Sequence, residues 1–411
     1  MKIIPSSDGK AVDRLLRPTS GDDRATKASV AAIVSAVRRR GDTALLSYAR
    51  KFDDLDGPIE VSKDEIEEGA ARVPPKVRAA IAAAARNIHK VARRQRPRGW
   101  TIATQPGVIV EQRVTPLDRV GCYVPGGRYP LPSSLLMTAI PARAAGVPEI
   151  MVACPRPAPV VMAAARAAGV TKLFRMGGAQ AIAAFAYGTK TVPKVDKIVG
   201  PGNKYVAAAK ALVATDCAIV FYAGPTEIVI VADKGSPEWI AADLIAQAEH
   251  DPEARAILIT TSHALASKVS RAVDTRMPAS GPARESLARN GGIIIAKDRV
   301  EATELANRAA PEHLVCDDER IAAGVRCAGA IFIGPYTAQV GGDYAIGSNH
   351  VLPTNGAARF RGGLHTSDFV RISTVQRVSR QGLKNLAPTV TILARQEGLE
   401  AHALSIEVRL R

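Results

Sequence analysis

Aromatic residues are scarce in this chain, at 4% of its 411 residues. Proteins that bind single-stranded nucleic acid stack the bases on aromatic side chains, so the scarcity argues against that class. Hydrophobic residues make up 47% of the chain and charged residues 23%, which is typical of a globular protein and argues against disorder. The length is sufficient for roughly two to three domains.

Paired cysteines and long apolar runs are also missing. The five cysteines form no C-x-x-C pair, which argues against a disulfide framework and against a thiolate zinc site. No apolar run approaches the roughly 20 residues that cross a bilayer, and the N-terminus lacks the apolar core of a signal peptide. We therefore expect a cytoplasmic protein without a membrane partner, in which any metal is bound by nitrogen and oxygen atoms.

Acidic residues are outnumbered, which leaves a formal net charge of +16. The densest basic stretch, residues 86–98, has two interpretations. It could bind nucleic acid, with a steep dependence on salt, or it could be the solvated face of a helix. Ile81, Ile88 and Val91 recur at roughly helical spacing beside it, which favours the helix face. We expect no nucleic-acid partner.

Short apolar runs alternate with alanine-rich helical segments from about Gly107 onward. Val/Ile runs bounded by Gly and Pro are typical of strands buried on both faces of a parallel sheet. The predicted strands begin near residues 108, 120, 150, 172, 197, 227, 256, 292 and 330. Their number predicts two sheets, hence two α/β domains.

The two ends of the chain have a different pattern. The first hundred residues predict mostly helices, among them residues 27–52 and 75–94. After Leu364 the strand signal fades, and the sequence predicts a helical tail. A tail too short to bury its own apolar face must dock on its own subunit or on a partner.

A G-x-G-x-x-G dinucleotide fingerprint is absent from the chain. Two glycine loops, V124-P-G-G127 and V199-G-P-G-N203, follow predicted strands and precede helices, where backbone N–H groups could bind phosphate. Glycine loops are also common at such junctions for geometric reasons alone.

Gln247 and His250 lie three residues apart on one face of a predicted helix, with Asp243 a turn earlier. They are candidate metal ligands. Alternatively, His250 interacts with the negative end of the helix dipole.

Glu312 and His313 are neighbours in A310-P-E-H-L314 and form a candidate acid/base pair. The alternative is an ordinary helix start with a carboxylate in its first turn. Asp343 offers a hard oxygen ligand, and His350 could be a ligand, a base or a substrate contact. Mixed nitrogen and oxygen donors suit zinc, and on chemical grounds manganese or cobalt as well. Together the clusters predict a metal-dependent enzyme.

Seven motifs, in this order and spacing, resemble the signature stretches of the histidinol dehydrogenase family. They are V120-G-C-Y-V-P-G-G, the S-S-L-L-M run after Pro132, G177-G-A-Q-A-I-A-A, K194-V-D-K-I-V-G-P-G-N-K-Y-V, D243-L-I-A-Q-A-E-H, A310-P-E-H-L and G342-D-Y-A-I-G-S-N-H-V-L-P-T. The resemblance runs from about Val120 to the C-terminus.

The resemblance implies a zinc- and NAD-dependent enzyme that oxidises L-histidinol through L-histidinal to L-histidine with two NAD, at the end of histidine biosynthesis. It implies two incomplete Rossmann-like domains with parallel-rich sheets, a helical N-terminal segment, and a small helical tail that docks on the partner of a homodimer. The implied division is an arm at 1–20, one domain at 21–122 and 227–306, another at 123–226 and 307–364, and the tail at 365–411.

The resemblance also assigns site residues. Glu312 and His313 would be the acid/base pair. The zinc ligands would be Gln247, His250, Asp343 and His402, the last from the other subunit. The substrate contacts would be Thr226, Gln247, His250, His313, Asp343, Glu397 and His402, with His350 close by. The NAD contacts would be Tyr123, Gln180 and Asn203.

Two positions depart from the family's pattern. Thr226 stands in G224-P-T-E227 where serine is common, and Gln339 stands in A338-Q-V where P-E-S is common. These departures leave an alternative open, a paralogous zinc- and NAD-dependent dehydrogenase of another small alcohol such as a sulfonated diol. Glu397 favours histidinol, because its carboxylate suits a cationic imidazole and would repel a sulfonate.

Overall fold

Two six-stranded sheets organise the chain in the computed structural model, and a three-stranded sheet accompanies them. The structure describes residues 1–17, 24–126, 129–220 and 224–411. Helices and strands are numbered below in chain order. In the described residues no helix is long and apolar enough to cross a membrane.

The first sheet has the order β2-β7-β6-β5-β8-β9. Its strands are β2 (Glu60–Val61), β5 (Arg119–Tyr123), β6 (Glu149–Ala153), β7 (Lys172–Phe174), β8 (Lys197–Val199) and β9 (Ala218–Ile219). Only β2 runs antiparallel to its neighbour. The connecting helices are α6 (Pro132–Ala145), α7 (Pro159–Ala168), α8 (Gly178–Tyr187) and α9 (Lys204–Val213). After β5, the strands β6 and β7 are added on one side of β5, and β8 and β9 are then added on its other side. The strand order therefore reverses between β5 and β8.

The second sheet is wholly parallel, with the order β1-β12-β11-β10-β13-β14. Its strands are β1 (Ile3–Pro5), β10 (Glu227–Val231), β11 (Arg255–Thr260), β12 (Gly291–Ile295), β13 (His313–Cys316) and β14 (Ala330–Ile333). The helices are α10 (Pro237–Ala248), α11 (His263–Arg276), α12 (Ala283–Asn290), α13 (Arg299–Ala309), α14 (Glu319–Gly324) and α15 (Gln339–Tyr344).

Both faces of each large sheet are buried, as the apolar runs predicted. In β10, Ile228 and Ile230 belong to one core cluster, while Val229 and Val231 belong to another on the opposite face. Alternation of side chains across a strand produces this division. Two further core clusters cover the two faces of the first sheet. The predicted α/β class with parallel-rich sheets is therefore confirmed.

Helices dominate the first hundred residues, as predicted. They are α1 (Gly9–Leu16), α2 (Arg24–Arg40), α3 (Asp42–Asp53), α4 (Lys63–Ala71) and α5 (Pro75–Gln95). The helix predicted over residues 27–52 is broken at Gly41, whose φ of 51° lies in the left-handed region that glycine tolerates. Helix α5 buries Ile81 and Ile88 and exposes most of the basic residues in the 86–98 stretch, which agrees with a solvated helix face.

The C-terminal tail contains the predicted helices, but a strand that was not predicted precedes them. Strand β15 (Val370–Val378) pairs antiparallel with β4 (Val108–Pro116), which also pairs with β3 (Trp100–Gln105). Every residue of β15 is at least partly exposed, so the strand lacks the buried apolar run by which the others were recognised. Two short 3-10 turns, Ala357–Arg359 and Thr366–Phe369, precede β15. Two helices, α16 (Arg380–Gln396) and α17 (Glu400–Glu407), follow it.

The sheets also group the chain differently from the predicted division. That division joined residues 21–122 with 227–306, yet β5 pairs with β6 and β8 of the first sheet, while β10 pairs with β13 of the second. The arm predicted at 1–20 contributes β1 to the second sheet. The predicted bounds therefore cut across the strand pairing of both sheets.

The packing of β5 against α8 generates a stability prediction. Gly121, in the middle of β5, leaves no room for a side chain, because an added Cβ would lie 2.6 Å from the buried ring of Phe185. We expect Gly121→Ala to lower the free energy of unfolding by about 1–3 kcal/mol through overpacking. Chemical denaturation measures it, with Gly362→Ala as the matched control, since nothing lies within 4 Å of a Cβ at Gly362. Equal stability of the two variants would contradict the packing argument.

Candidate functional site

Adjacent parallel strands place a carboxylate and its donors side by side at the amino ends of β10 and β13. Ile228 pairs with His313, so Thr226 and Glu227 lie next to Glu312. The Thr226 hydroxyl donates to Glu312 Oε2 at 2.5 Å, and the Glu227 N–H donates to the same oxygen at 3.0 Å. Glu312 is buried, and burial raises the pKa of its carboxyl although His313 and these donors oppose the shift. Strand register therefore fixes the carboxyl in one orientation.

His313 lies between two carboxyl groups. Its Nδ1 is 3.3 Å from the Glu227 carbonyl oxygen and 3.6 Å from Glu312 Oε2, and its Nε2 is 3.7 Å from Asp343 Oδ1. Burial by itself lowers the pKa of His313, but the charges of Glu312 and Asp343 outweigh burial and raise it. The imidazole therefore accepts a proton more readily than an ordinary histidine does.

Asp343 and His350 close the group from the other side. His350 Nδ1 lies 3.0 Å from the backbone oxygen of Asp343 and 3.9 Å from its Oδ1. Burial lowers the pKa of His350 despite the nearby carboxylate. Asn349 donates to the Met137 carbonyl on α6 at 2.7 Å, and Asn87 on α5 donates to Ala345 at 2.8 Å. The group therefore lies where the second sheet meets helices packed on the first.

Gln247 reaches the same group from α10. Its side chain is fully buried, and its Nε2 donates to the Thr226 hydroxyl, which leaves Thr226 to donate its own hydrogen to Glu312. Gln247 Oε1 is buried and has no hydrogen-bond partner among the described residues. A buried amide oxygen without a donor is costly, and a cation would satisfy it.

His250 follows α10, and its ring Nδ1 lies 3.0 Å from the Ala246 carbonyl oxygen. A bond from the Nδ1 hydrogen to a backbone carbonyl leaves Nε2 with a free lone pair, the tautomer that binds metals. Within the described ranges, no three His, Cys, Asp or Glu side chains gather closely enough to hold a metal ion. The amide oxygen of Gln247, the imidazole of His250 and the carboxylate of Asp343 are donors of the chemical types that zinc accepts.

Glu397 and His402 are not brought into this group within one chain. Glu397 ends α16 and His402 lies in α17, and both are exposed. Side-chain contacts link Thr226, Gln247, Glu312, His313, Asp343 and His350.

Tyr123, Gln180 and Asn203 form a second group at the carboxyl ends of the first sheet. The Tyr123 hydroxyl accepts from the Gly178 N–H at 3.0 Å, at the start of α8. Burial raises the pKa of that hydroxyl to about 12, so it stays protonated. Asn203 caps α9 by accepting from two backbone N–H groups of its first turn. The group borders the point between β5 and β8 where strand order reverses, which is where ligands bind in open α/β sheets.

Of the two glycine loops, the second lies against Tyr123. Gly200 has a φ of 108°, and a Cβ there would overlap the Tyr123 carbonyl oxygen. The first glycine loop, V124-P-G-G127, extends beyond the described residues.

Sequence reasoning missed two buried carboxylates beside these groups. Glu227 pairs with Arg255 at 3.4 Å and accepts from the Asn355 N–H at 2.6 Å, and burial raises its pKa to about 7 although Arg255 opposes the shift. Asp53, on α3, accepts from Gly177 N–H and from Gln180 Nε2, both at 2.9 Å. Glu227 could have been recognised as a site residue because it follows Thr226 directly in the sequence. No sequence motif around Asp53 indicates that it reaches Gln180.

Two open α/β sheets, a buried histidine–carboxylate group where they meet, and a second polar group at a reversal of strand order are typical of an α/β enzyme. The chain belongs to the histidinol dehydrogenase family, because the family model for histidinol dehydrogenase matches residues 16–410. It is accordingly an oxidoreductase.

Individual relatives agree with this assignment. The chain is 46% identical to histidinol dehydrogenase of Methanothermobacter thermautotrophicus, over 99% of both chains. It is 47% identical to that of Rhizobium meliloti, over 93% of this chain and 92% of the relative. The crystal structure of histidinol dehydrogenase from Elizabethkingia anophelis is 33% identical and superimposes with a TM-score of 0.94, over 99% of this chain and 97% of the other.

The double role of Thr226 generates a prediction. We expect Thr226→Val, which keeps the side-chain shape but removes the hydroxyl, to lower the free energy of unfolding by about 1–3 kcal/mol, because Glu312 and Gln247 each lose a partner. Thr226→Ser keeps the hydroxyl and should stay close to the parent. Denaturant unfolding of the three proteins at neutral pH measures the difference. If Val and Ser prove equally stable, the hydroxyl does not hold the carboxyl.

Proposed function

We propose that the chain oxidises L-histidinol through L-histidinal to L-histidine, with two NAD as oxidants, in the last steps of histidine biosynthesis. The observation that carries the proposal is the buried chain of contacts from Thr226 through Glu312 and His313 to Asp343. We propose further that the enzyme works in the cytoplasm as a homodimer, without nucleic-acid or membrane partners.

His313 is the proposed base. Each of the two oxidations removes a hydride from carbon and a proton from oxygen, and the proton needs an acceptor. The raised pKa of His313 supports this role, since the carboxylates on both sides stabilise the imidazolium. Glu312, whose carboxyl is held by Thr226 and the Glu227 N–H, is proposed to help activate the water that adds to the aldehyde. Retention of the aldehyde in this buried site keeps a reactive intermediate from escape.

Tyr123, Gln180 and Asn203 are the proposed NAD contacts. Their place at the reversal of strand order supports this assignment, because that crevice is where dinucleotides bind in open α/β sheets. Asp53 fixes the Gln180 amide, so that side chain is already ordered before any ligand arrives. The glycine fingerprint is not needed if hydroxyl and amide groups supply the contacts.

Zinc is the proposed resident metal, held by Gln247, His250 and Asp343 of one subunit and His402 of the other, with manganese and cobalt as chemical alternatives. When bound, it would supply a Lewis acid that orients the substrate's nitrogen and oxygen atoms. The unsatisfied Oε1 of Gln247 and the tautomer of His250 support this donor set.

The proposed homodimer rests on the exposed apolar residues of the tail. Large apolar side chains of α16, α17 and the residues beside them face solvent in the single chain: Ile392, Leu393, Leu399, Leu404 and Val408. Such a concentration of exposed apolar groups is typical of an interface. Docking of the tail on a second copy would bring Glu397 and His402 to a site that lacks its fourth metal ligand.

The proposed substrate contacts are Thr226, Gln247, His250, His313, His350 and Asp343 of one chain, with Glu397 and His402 of the other. A cationic substrate gains nothing from a net charge of +16, so the local carboxylates must provide the attraction. A sulfonated diol, the alternative substrate, would be repelled by the same groups.

NADH formation tests the proposed reaction. With L-histidinol as substrate, we expect about two NADH per molecule consumed, loss of activity on chelation and recovery on addition of zinc. Absorbance of NADH, with histidine measured in parallel, gives the ratio. A zinc-loaded protein that does not oxidise histidinol would instead support the paralogous dehydrogenase of another alcohol.

His402→Ala tests the source of the fourth ligand. We expect the variant to remain folded and to lose zinc on dialysis, because three ligands from one chain hold the metal too weakly. His263→Ala, an exposed histidine at the start of α11, is the matched control and should retain its zinc. Metal analysis and circular dichroism provide the two measurements.

Mixed dimers then test the exchange between subunits. Co-expressed His402→Ala and His250→Ala chains should recover one intact site in each mixed dimer, because each chain lacks a different ligand. Unchanged zinc in His402→Ala, or no recovery in the mixed dimers, would refute a ligand contributed across subunits.

A further inference from the structure

Gln339 is a buried amide beside Asp343 to which no role has been given. It begins α15 and is fully buried. Its Nε2 donates to Asp343 Oδ2 at 2.7 Å, one turn later on the same helix face. Its Oε1 is buried and has no hydrogen-bond partner among the described residues. One end of the amide is therefore engaged and the other is left unsatisfied.

The orientation of this amide follows from charge. If the amide were flipped, Oε1 would face the Asp343 carboxylate and two acceptors would repel each other. The carboxylate thus selects the donor end of Gln339, and the fully packed surroundings keep it there. The unsatisfied oxygen is a consequence of this selection, and it indicates that the side chain is retained for its donor.

The bond divides the two oxygens of Asp343 between different partners. Oδ2 accepts from Gln339, while Oδ1 lies 3.7 Å from His313 Nε2 and 3.9 Å from His350 Nδ1. Without the amide, the carboxylate could rotate about its Cβ–Cγ bond and exchange the two oxygens. With it, Oδ1 is directed toward the imidazoles.

We propose that Gln339 is a positioning residue that directs one oxygen of Asp343 toward the metal and the imidazoles. This inference rests on the proposed metal site. A neutral amide also avoids the repulsion that a second carboxylate beside Asp343 would cause. An ionised glutamate at this position would have no hydrogen to donate to Asp343.

Metal binding by Gln339→Met tests the proposal. The substitution keeps the length of the side chain and removes both polar ends. We expect the apparent zinc affinity, measured by competition with a chromophoric chelator, to fall about 10–100-fold, the loss typical when a partner of a metal ligand is removed. We also expect an altered visible spectrum of the cobalt-substituted protein, because the ligand geometry changes. The dimeric full-length protein is used throughout.

Gln105→Met is the matched control. Gln105 lies on β3 of the three-stranded sheet and also carries a buried side-chain atom without a partner among the described residues, so the chemical change is the same in a different sheet. Its zinc affinity and cobalt spectrum should match the parent. If Gln339→Met is insoluble, Gln339→Ala replaces it with the same expected loss. Thermal unfolding without metal verifies that each variant is folded.

The outcomes separate the inference from the function on which it rests. Failure of the parent protein to bind zinc would refute the proposed metal site, and this inference with it. A parent that binds zinc and a Gln339→Met variant that binds it equally well would overturn the inference alone. Equal losses in both methionine variants, or a lower affinity with an unchanged cobalt spectrum, would also overturn it, since neither requires a change in ligand geometry.

Discussion

The parallel register between β10 and β13 fixes the positions of Thr226, Glu312 and His313. Pairing of Ile228 with His313 sets the residues just before the two strands side by side, so a hydroxyl and a backbone N–H both reach the carboxyl of Glu312. A slip of one residue would turn every side chain of the strand to the opposite face and separate the carboxyl from its donors. The apolar side chains of these strands pack in two separate cores, one on each face of the sheet. A slip would move side chains from one core into the space shaped for those of the other, which the close packing opposes.

Buried charge concentrates at this junction in a chain that is strongly basic overall. Glu312 and Asp343 flank His313, and Glu227 is paired with Arg255. Isolated buried carboxylates are expensive, and these are tolerated because each accepts hydrogen bonds from fixed donors. The resulting local field favours a proton or a cation over an anion. The long-range charge of the protein therefore has little influence on what the site attracts.

Local patterns predicted those parts of the molecule that local physics determines. Apolar runs predicted eight strands of the two large sheets because those strands are buried on two faces, but β1, β2, β9 and β13 were not predicted. Gln247 lies on the predicted helix, whereas His250 lies just beyond its end. Strand β15 was missed because it is exposed along its length. The partners of Gln180 and of Glu227 could not be predicted, since Asp53 and Arg255 reach them only through the tertiary fold. Gln339 lies four residues before Asp343 on a helix, a signal that was visible and was interpreted only as a departure from a family pattern.

The pairing of β1 with β12 affects the order in which the two large sheets can form during synthesis. Ile3 leaves the ribosome well before its partner Ile293, which follows about 290 residues later. Every strand of the first sheet lies between them, so that sheet can be completed while β1 still waits for β12. Contacts between such distant residues form late because closure of a long loop costs entropy. The second sheet, and with it the Glu312–His313 group, therefore becomes complete only after the strands of the first sheet have been synthesised.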